Sequence, residues 1–301
     1  MATIYTYRAA NVRKTWMMMS MFLVFIVFVG WVFAQAMETP VVLYVAVAVA
    51  IVMNTASYWW SDKLVVAMTR AKEVSFKDAP DLYRVVENLA IAGGLPTPKL
   101  YVIQDPAPNA FATGRDEKHA VVAVTTGLLG RLGRTELEGV LAHELSHIGN
   151  KDMLVSTITV VLVGIIALLS DFFLRWMRFF GGRGSRRGDG RVQAVFLLLG
   201  LVLALIAPLV ASLMRLAVSR KREFLADASG ALLTRNPEGL AAALLKISAD
   251  PNELRSANHA TAHLFFANPF KGKDAVSFMT KLFMTHPPIE ERVRVLREMG
   301  K

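Results

Sequence analysis

Residues 141–148 read LAHELSHI, and the H-E-x-x-H within them is the part of the chain from which fold and chemistry are best worked outward. On an α-helix four residues turn through roughly 400°, so His143 and His147 project about 40° apart on one face and two imidazoles can meet one ion. A helix is expected here: Thr135 and Glu138 have capping-box spacing, and Leu137, Leu141, Leu145 and Ile148 form an apolar stripe. Zinc suits two histidines and a carboxylate with a fourth position open, an arrangement that acidifies bound water to a pKa near ~7. Glu144 is placed to take that water's proton. The motif also arises by chance on surface helices, so a third ligand has to decide.

A Gly and a His in place of Asn150 and Met153 would extend the motif in the metzincin manner; their absence makes a distant carboxylate the natural third ligand. Glu223 is the best candidate. It lies in REFLAD, 222–227, with Asp227 one turn further on, so that one acid can bind metal while the other accepts the free ring N–H of a ligand histidine. The plainer reading is a solvated acidic face among basic residues. Against it, His147 precedes an apolar segment by six residues and Glu223 follows the next by nine. These offsets correspond to roughly 9 and 13 Å of helix rise, which an antiparallel hairpin would bring to similar heights.

Those segments belong to a set of four, 16–34, 40–60, 153–174 and 192–214, each near the ~20 residues that cross a hydrocarbon core. With 54% hydrophobic and 19% charged residues, the 301-residue chain is too apolar for an ordinary soluble protein. The expected organisation is a membrane hairpin over 1–60, a first catalytic half over 61–152, a second membrane hairpin over 153–215 and a second catalytic half over 216–301. The two polar blocks together reach the size of one hydrophobic core. There is no cysteine, which excludes disulfides and thiolate metal sites.

The net charge of +10 does not imply nucleic acid, because many basic residues flank the spans, among them Arg8, Arg13, Lys14, Lys63, Arg70 and Arg222, where anionic lipid headgroups meet them. The first span resembles a signal sequence, with small residues at Ala34 and Ala36, but a second apolar run follows at once and retention is expected. Positive-inside counting puts the flanks of the first two spans, and so 61–152, in the cytoplasm. The arginines of 175–191 break that rule if the last two segments both cross; the alternative is a second hairpin that dips without crossing. Four spans are expected.

The chain from 99 to 126 reads as short strands, 100–103, 110–113 and 120–125, separated by turns. Helices are expected from Asp81 to the Gly93-Gly94 stop, from the Asn236-Pro237 start, and from Pro288. His259 and His263 are also four apart, but no acid lies between them and a metal role is not expected. The methionines, three in a row at Met17, Met18 and Met19, read as lipid-facing or gap-filling.

HELSH before a span, REFLAD after the next and THPPIEER at 285–292 together closely resemble the HtpX-type membrane zinc endopeptidases, over nearly the whole chain. The resemblance implies a predominantly α membrane protein with four transmembrane helices and a zincin-like α+β catalytic domain, its small antiparallel sheet beside the HELSH helix. It implies His143, His147 and Glu223 as ligands of one Zn2+, Glu144 as base, Asp227 as the acid behind a ligand, and His286 as a group that steadies the oxyanion. It also implies that PNAFATG, 108–114, is an active-site edge strand, with Asn109, Ala110, Phe111 and Ala112 holding an extended peptide by main-chain hydrogen bonds. Peptide and membrane-protein substrates, a bacterial inner-membrane location, a cytoplasmic catalytic face and a part in protein quality control follow from the same source. The CaaX prenyl proteases share the H-E-x-x-H and E-x-x-x-D pattern but are expected to have more spans. A scaffold with a dead site would have no need of Glu144.

Overall fold

Two apolar helices open the chain, and their pairing follows from small residues at one end and aromatic ones at the other. The computed structural model describes residues 4–36, 38–181, 220–258, 260–270 and 287–300. Helix α1, Ile4–Ala36, and α2, Val41–Trp59, contain the candidate spans Ala9–Gln35 and Val41–Trp59. At Gly30 the backbones come so close that a Cβ would sit 2.2 Å from the Ala46 Cβ. At the other end Trp16 stacks on Tyr58 at 6.1 Å, and the Arg115 guanidinium lies 5.0 Å from the Trp59 ring centre. Aromatic rings with a polar edge commonly collect at the membrane–water interface.

After α3, Ser61–Thr69, comes a four-stranded sheet of β1, Lys72–Glu73, β2, Lys99–Ile103, β3, Ala110–Thr113, and β4, Val121–Thr125, in the order β1-β2-β4-β3. β2 and β4 run parallel, while β1 and β3 pair antiparallel at the two edges. The sheet is therefore mixed, correcting the antiparallel expectation. The reason lies in β4: its run Val-Val-Ala-Val-Thr is buried throughout, as suits a central strand covered on both faces, and β3 folds back on its outer side.

The sheet and helices α4, Pro80–Ala92, α5, Thr126–Arg131, and α6, Arg134–Gly149, form the folded part of the first polar block. Helices α8, Arg220–Thr234, α9, Pro237–Ala249, and α10, Ile289–Met299, belong to the second. One core joins the halves, running from Leu82 and Val86 through Leu100 and Val122 to Leu141 and Leu145, and on to Leu240, Leu244 and Leu296. The α6 start differs from the expected Thr135 box: Gly133 is the N-cap, and Glu136 reaches back to its N–H at 2.7 Å. Asn236 caps α9 as expected, accepting from the Gly239 N–H at 3.1 Å.

Between α6 and α7, Asp152–Gly181, the chain bends by 84°, with Lys151 in the left-handed region at φ 58°. α6 stays in the catalytic core. α7 lays Leu154, Val155, Ile158 and Leu162 against Met18, Met19, Phe22 and Ile26 of α1, so two of the three consecutive methionines fill gaps between helices while Met17 is exposed. Two described helices are long and apolar enough to cross a membrane, three if the bent α6–α7 pair counts as one span. The fourth expected segment, 192–214, lies outside the described residues, as does most of the Arg-rich stretch 175–191.

Candidate active site

The HELSH helix is buried along nearly its whole length, so both histidines are fixed by packing before any ion is considered. Their Nε2 atoms stand 3.1 Å apart. Glu223, in the first turns of α8, places one carboxylate oxygen 3.8 Å from His143 Nε2 and the other 3.7 Å from His147 Nε2. Ligand atoms about 2.0–2.1 Å from a tetrahedral ion lie roughly 3.3 Å from one another, so this donor set fits zinc. Among the described residues His143, His147 and Glu223 form the one group of three or more His, Cys, Asp or Glu residues close enough to hold a metal. Glu144 lines the same cavity of about 30 Å³, together with Ala112, His263 and Phe266. That volume admits an ion and about one water.

The electrostatics agree with the geometry. Burial pushes the His143 imidazole down to about 4, against the pull of Asp227, which leaves it neutral as a ligand must be. Burial acts on His147 in the same direction, but the carboxylates of Asp152, Glu223 and Glu144 outweigh it and bring the group up to about 9. So much negative charge around one imidazole is a place for a cation.

Each histidine leans on its own acid. His143 Nδ1 is 2.9 Å from Asp227 Oδ1, the relation expected when Glu223 and Asp227 share one helix face. Asp227 is in turn gripped by Arg292 of α10, whose Nε and Nη2 donate to its two oxygens at 2.8 and 2.7 Å. Burial raises the Asp227 carboxyl, but Arg292 and His143 more than reverse this and hold it near about 2. His147 Nδ1 faces Asp152 Oδ2 at 3.2 Å. Arg292 and Asp152 had no role in the sequence reading. The available signal for Asp152 was a carboxylate opening an apolar segment five residues after His147, an expensive position near a bilayer.

Of the four edge-strand residues, Ala112 alone lines the cavity. Asn109 spends its side chain on Ala267, donating to its carbonyl at 2.9 Å and accepting from its N–H at 3.1 Å. The Ala110 carbonyl accepts from the Phe266 N–H at 2.8 Å, and Phe111 packs edge-on against Phe265 at 5.3 Å. Since Asn109 is hydrogen-bonded to β4, through Thr125 N–H, the alternation of an antiparallel pair turns the main-chain groups of Ala110 and Ala112 outward. His263 stands in the cavity wall with Nε2 3.3 Å from the Ser156 carbonyl, apart from the ligand group. His259 and His286 lie outside the described residues.

Residues 77–300 match the model of peptidase family M48. A Protease HtpX homolog of Caldanaerobacter subterraneus subsp. tengcongensis is 44% identical over 300 residues, covering 99% of this chain and 98% of the relative. One of Pyrococcus furiosus is 46% identical over 260 residues, 86% of each. In fold, the chain resembles the crystal structure of S. mikatae Ste24p, with a TM-score of 0.50 at 20% identity, covering 94% of this chain and 66% of that one. The match to the family model over most of the chain, and near-full-length identity to its relatives, make this protein a member of peptidase family M48: an HtpX-type, membrane-associated metalloprotease.

Proposed function

We propose that the chain is a zinc endopeptidase of the bacterial cytoplasmic membrane, its catalytic face toward the cytoplasm, which cleaves misfolded or damaged membrane proteins. The observation that carries this reading is the convergence of His143, His147 and Glu223 on one point, with Glu144 in the same cavity wall. His143, His147 and Glu223 would hold the zinc, which when bound would acidify a water and polarise the scissile carbonyl. Glu144 takes the proton of the attacking water and delivers it to the departing amine nitrogen. Asp227 and Asp152 hold the ligand histidines in the tautomer that presents Nε2. The outward N–H and C=O of Ala112 bind the main chain of an extended substrate, a mode indifferent to most side chains and suited to clients of varied sequence. His286 steadies the oxyanion of the tetrahedral intermediate.

The test is cleavage of casein by the purified, detergent-solubilised protein and its Glu144→Gln variant, with chelator and zinc add-back. Glu144→Gln is expected to keep its zinc and lose cleavage. Cleavage at the parental rate would remove Glu144 from the mechanism. Zinc binding with no cleavage by the parent would favour a narrowly specific processing enzyme or a scaffold.

A further inference from the structure

Asp152 opens α7 at the corner where that helix leaves α6, and its carboxylate is shared among three distant parts of the chain. One oxygen faces His147 Nδ1 at 3.2 Å. The other accepts from the side-chain amide of Asn11 at 2.7 Å and lies 3.4 Å from Arg222 Nη1. The same amide nitrogen is 3.2 Å from the Asn150 carbonyl, so Asn11 grips both the C-cap residue of α6 and the acid that opens α7. Asn11 and Asp152 are both buried.

Asn11 belongs to α1, the first membrane helix. It precedes Trp16 by five residues, about 7–8 Å of helix rise, and lies at the N-terminal end of the apolar stretch Ala9–Gln35. The N-terminal turns of α1 therefore reach the corner between α6 and α7, behind His147.

We infer that Asn11 and Asp152 are positioning residues for the metal ligand His147, so that the first membrane helix helps set the geometry of the metal site. The inference rests on reading His147 as a ligand. A carboxylate at Nδ1 fixes the proton on that nitrogen, turns the Nε2 lone pair toward the ion and raises its basicity. Asp152 can do this only if its rotamer is held, and the Asn11 amide holds it by occupying the opposite oxygen. The arrangement parallels that at His143, where Arg292 holds Asp227. There the holding group comes from the last helix, here from the first.

The experiment uses the full-length protein in a Glu144→Gln background, which prevents self-cleavage. Zinc affinity is measured by chelator competition, the ligand field by the visible absorption of the Co2+-loaded protein, and the fold by thermal unfolding of the metal-free form. Asp152→Asn is isosteric and keeps an acceptor for Asn11 while presenting an amide N–H to His147, so the fold survives and the tautomer is disturbed. Asn11→Ala leaves Asp152 in place with the Arg222 guanidinium, at 3.4 Å, as the remaining group on that oxygen. Each is expected to weaken zinc about 10–100-fold and to shift the Co2+ bands. A bond that merely pins helices together would lower the unfolding temperature and leave affinity and bands at parental values; that result overturns the inference. His147→Ala separates the two levels of failure. If it binds zinc as tightly as the parent, the ligand reading falls and the inference with it; if it loses zinc while Asp152→Asn and Asn11→Ala do not, the inference alone falls.

Discussion

Arg292 is the largest fully buried side chain among the described residues, and its charge is met by the two oxygens of Asp227. Such a pair stabilises little relative to apolar packing, but removing one partner leaves the other charge stranded, which costs about 3–5 kcal/mol. Arg292→Met is therefore expected to lower the unfolding free energy of the metal-free protein by that order, seen as a lower denaturant midpoint. An unchanged midpoint would mean that solvent reaches Asp227. Acid tests the same contact from the other side. A carboxyl held at about 2 contributes stability that is fully present above its ordinary value near ~3.9 and is lost as pH falls toward 2. The midpoint should fall across that window in the parent and less steeply in Asp227→Asn; equal slopes would place the acid sensitivity elsewhere. The proposed ligands His143, His147 and Glu223 and the proposed base Glu144 could be picked out in the sequence because the signals for them, a four-residue spacing and an acid after an apolar segment, are local. Arg292 and Asp152 could not, because what they do depends on partners 65 and 141 residues away, and an arginine on an amphipathic terminal helix reads as a solvated charge.

Among the elements, the crossing of α6 and α8 decides whether three ligands from two helices can meet. The crossing is made at Gly230, where a Cβ would stand 3.0 Å from the His143 N and 3.2 Å from its Cα. Backbone cannot yield as the end of a side chain can, so a larger residue must push α8, and Glu223 with it, away from the histidines. Gly230→Leu is expected to cost about 1–3 kcal/mol in stability and also to weaken zinc binding in chelator competition, with Gly230→Ala between it and the parent. Parental affinity in Gly230→Leu would show that α8 can shift without carrying its ligand. Sequence pattern located these elements well, including β3 at its observed bounds, since turns and apolar runs are local signals. Strand order was not legible: an apolar run such as that of β4 declares that it is covered on both faces but not which strands cover it. Of the edge expected at Asn109 to Ala112, only Ala112 lines the cavity, because the segment at 265–267 that packs on the rest is distant in sequence.

At the scale of the whole molecule, the proposed topology makes the hairpin of α1 and α2 the part of the chain that would set on which side of the membrane the chemistry occurs. Arg8, Arg13 and Lys14 precede the first span and Lys63 follows the second, while the connecting turn around Glu38 carries no Lys or Arg. In the proposed topology this charge asymmetry would hold both outer ends in the cytoplasm, with the Trp16, Tyr58 and Trp59 cluster at that boundary. Since the two polar blocks pack into one core, they would share its side. The chain has no cysteine, so single cysteines can report position without removing any native thiol. Glu38→Cys in the turn and Lys77→Cys in the catalytic half both sit on exposed side chains. In intact cells a membrane-impermeant maleimide is expected to label Glu38→Cys and to spare Lys77→Cys until the cells are lysed. The reverse pattern would place the metal site outside the cytoplasm, where it could not meet cytoplasmic segments of damaged membrane proteins. Labelling of both positions would mean that the hairpin does not cross, and that the mean hydropathy of +0.41 reflects helices lying in the membrane surface.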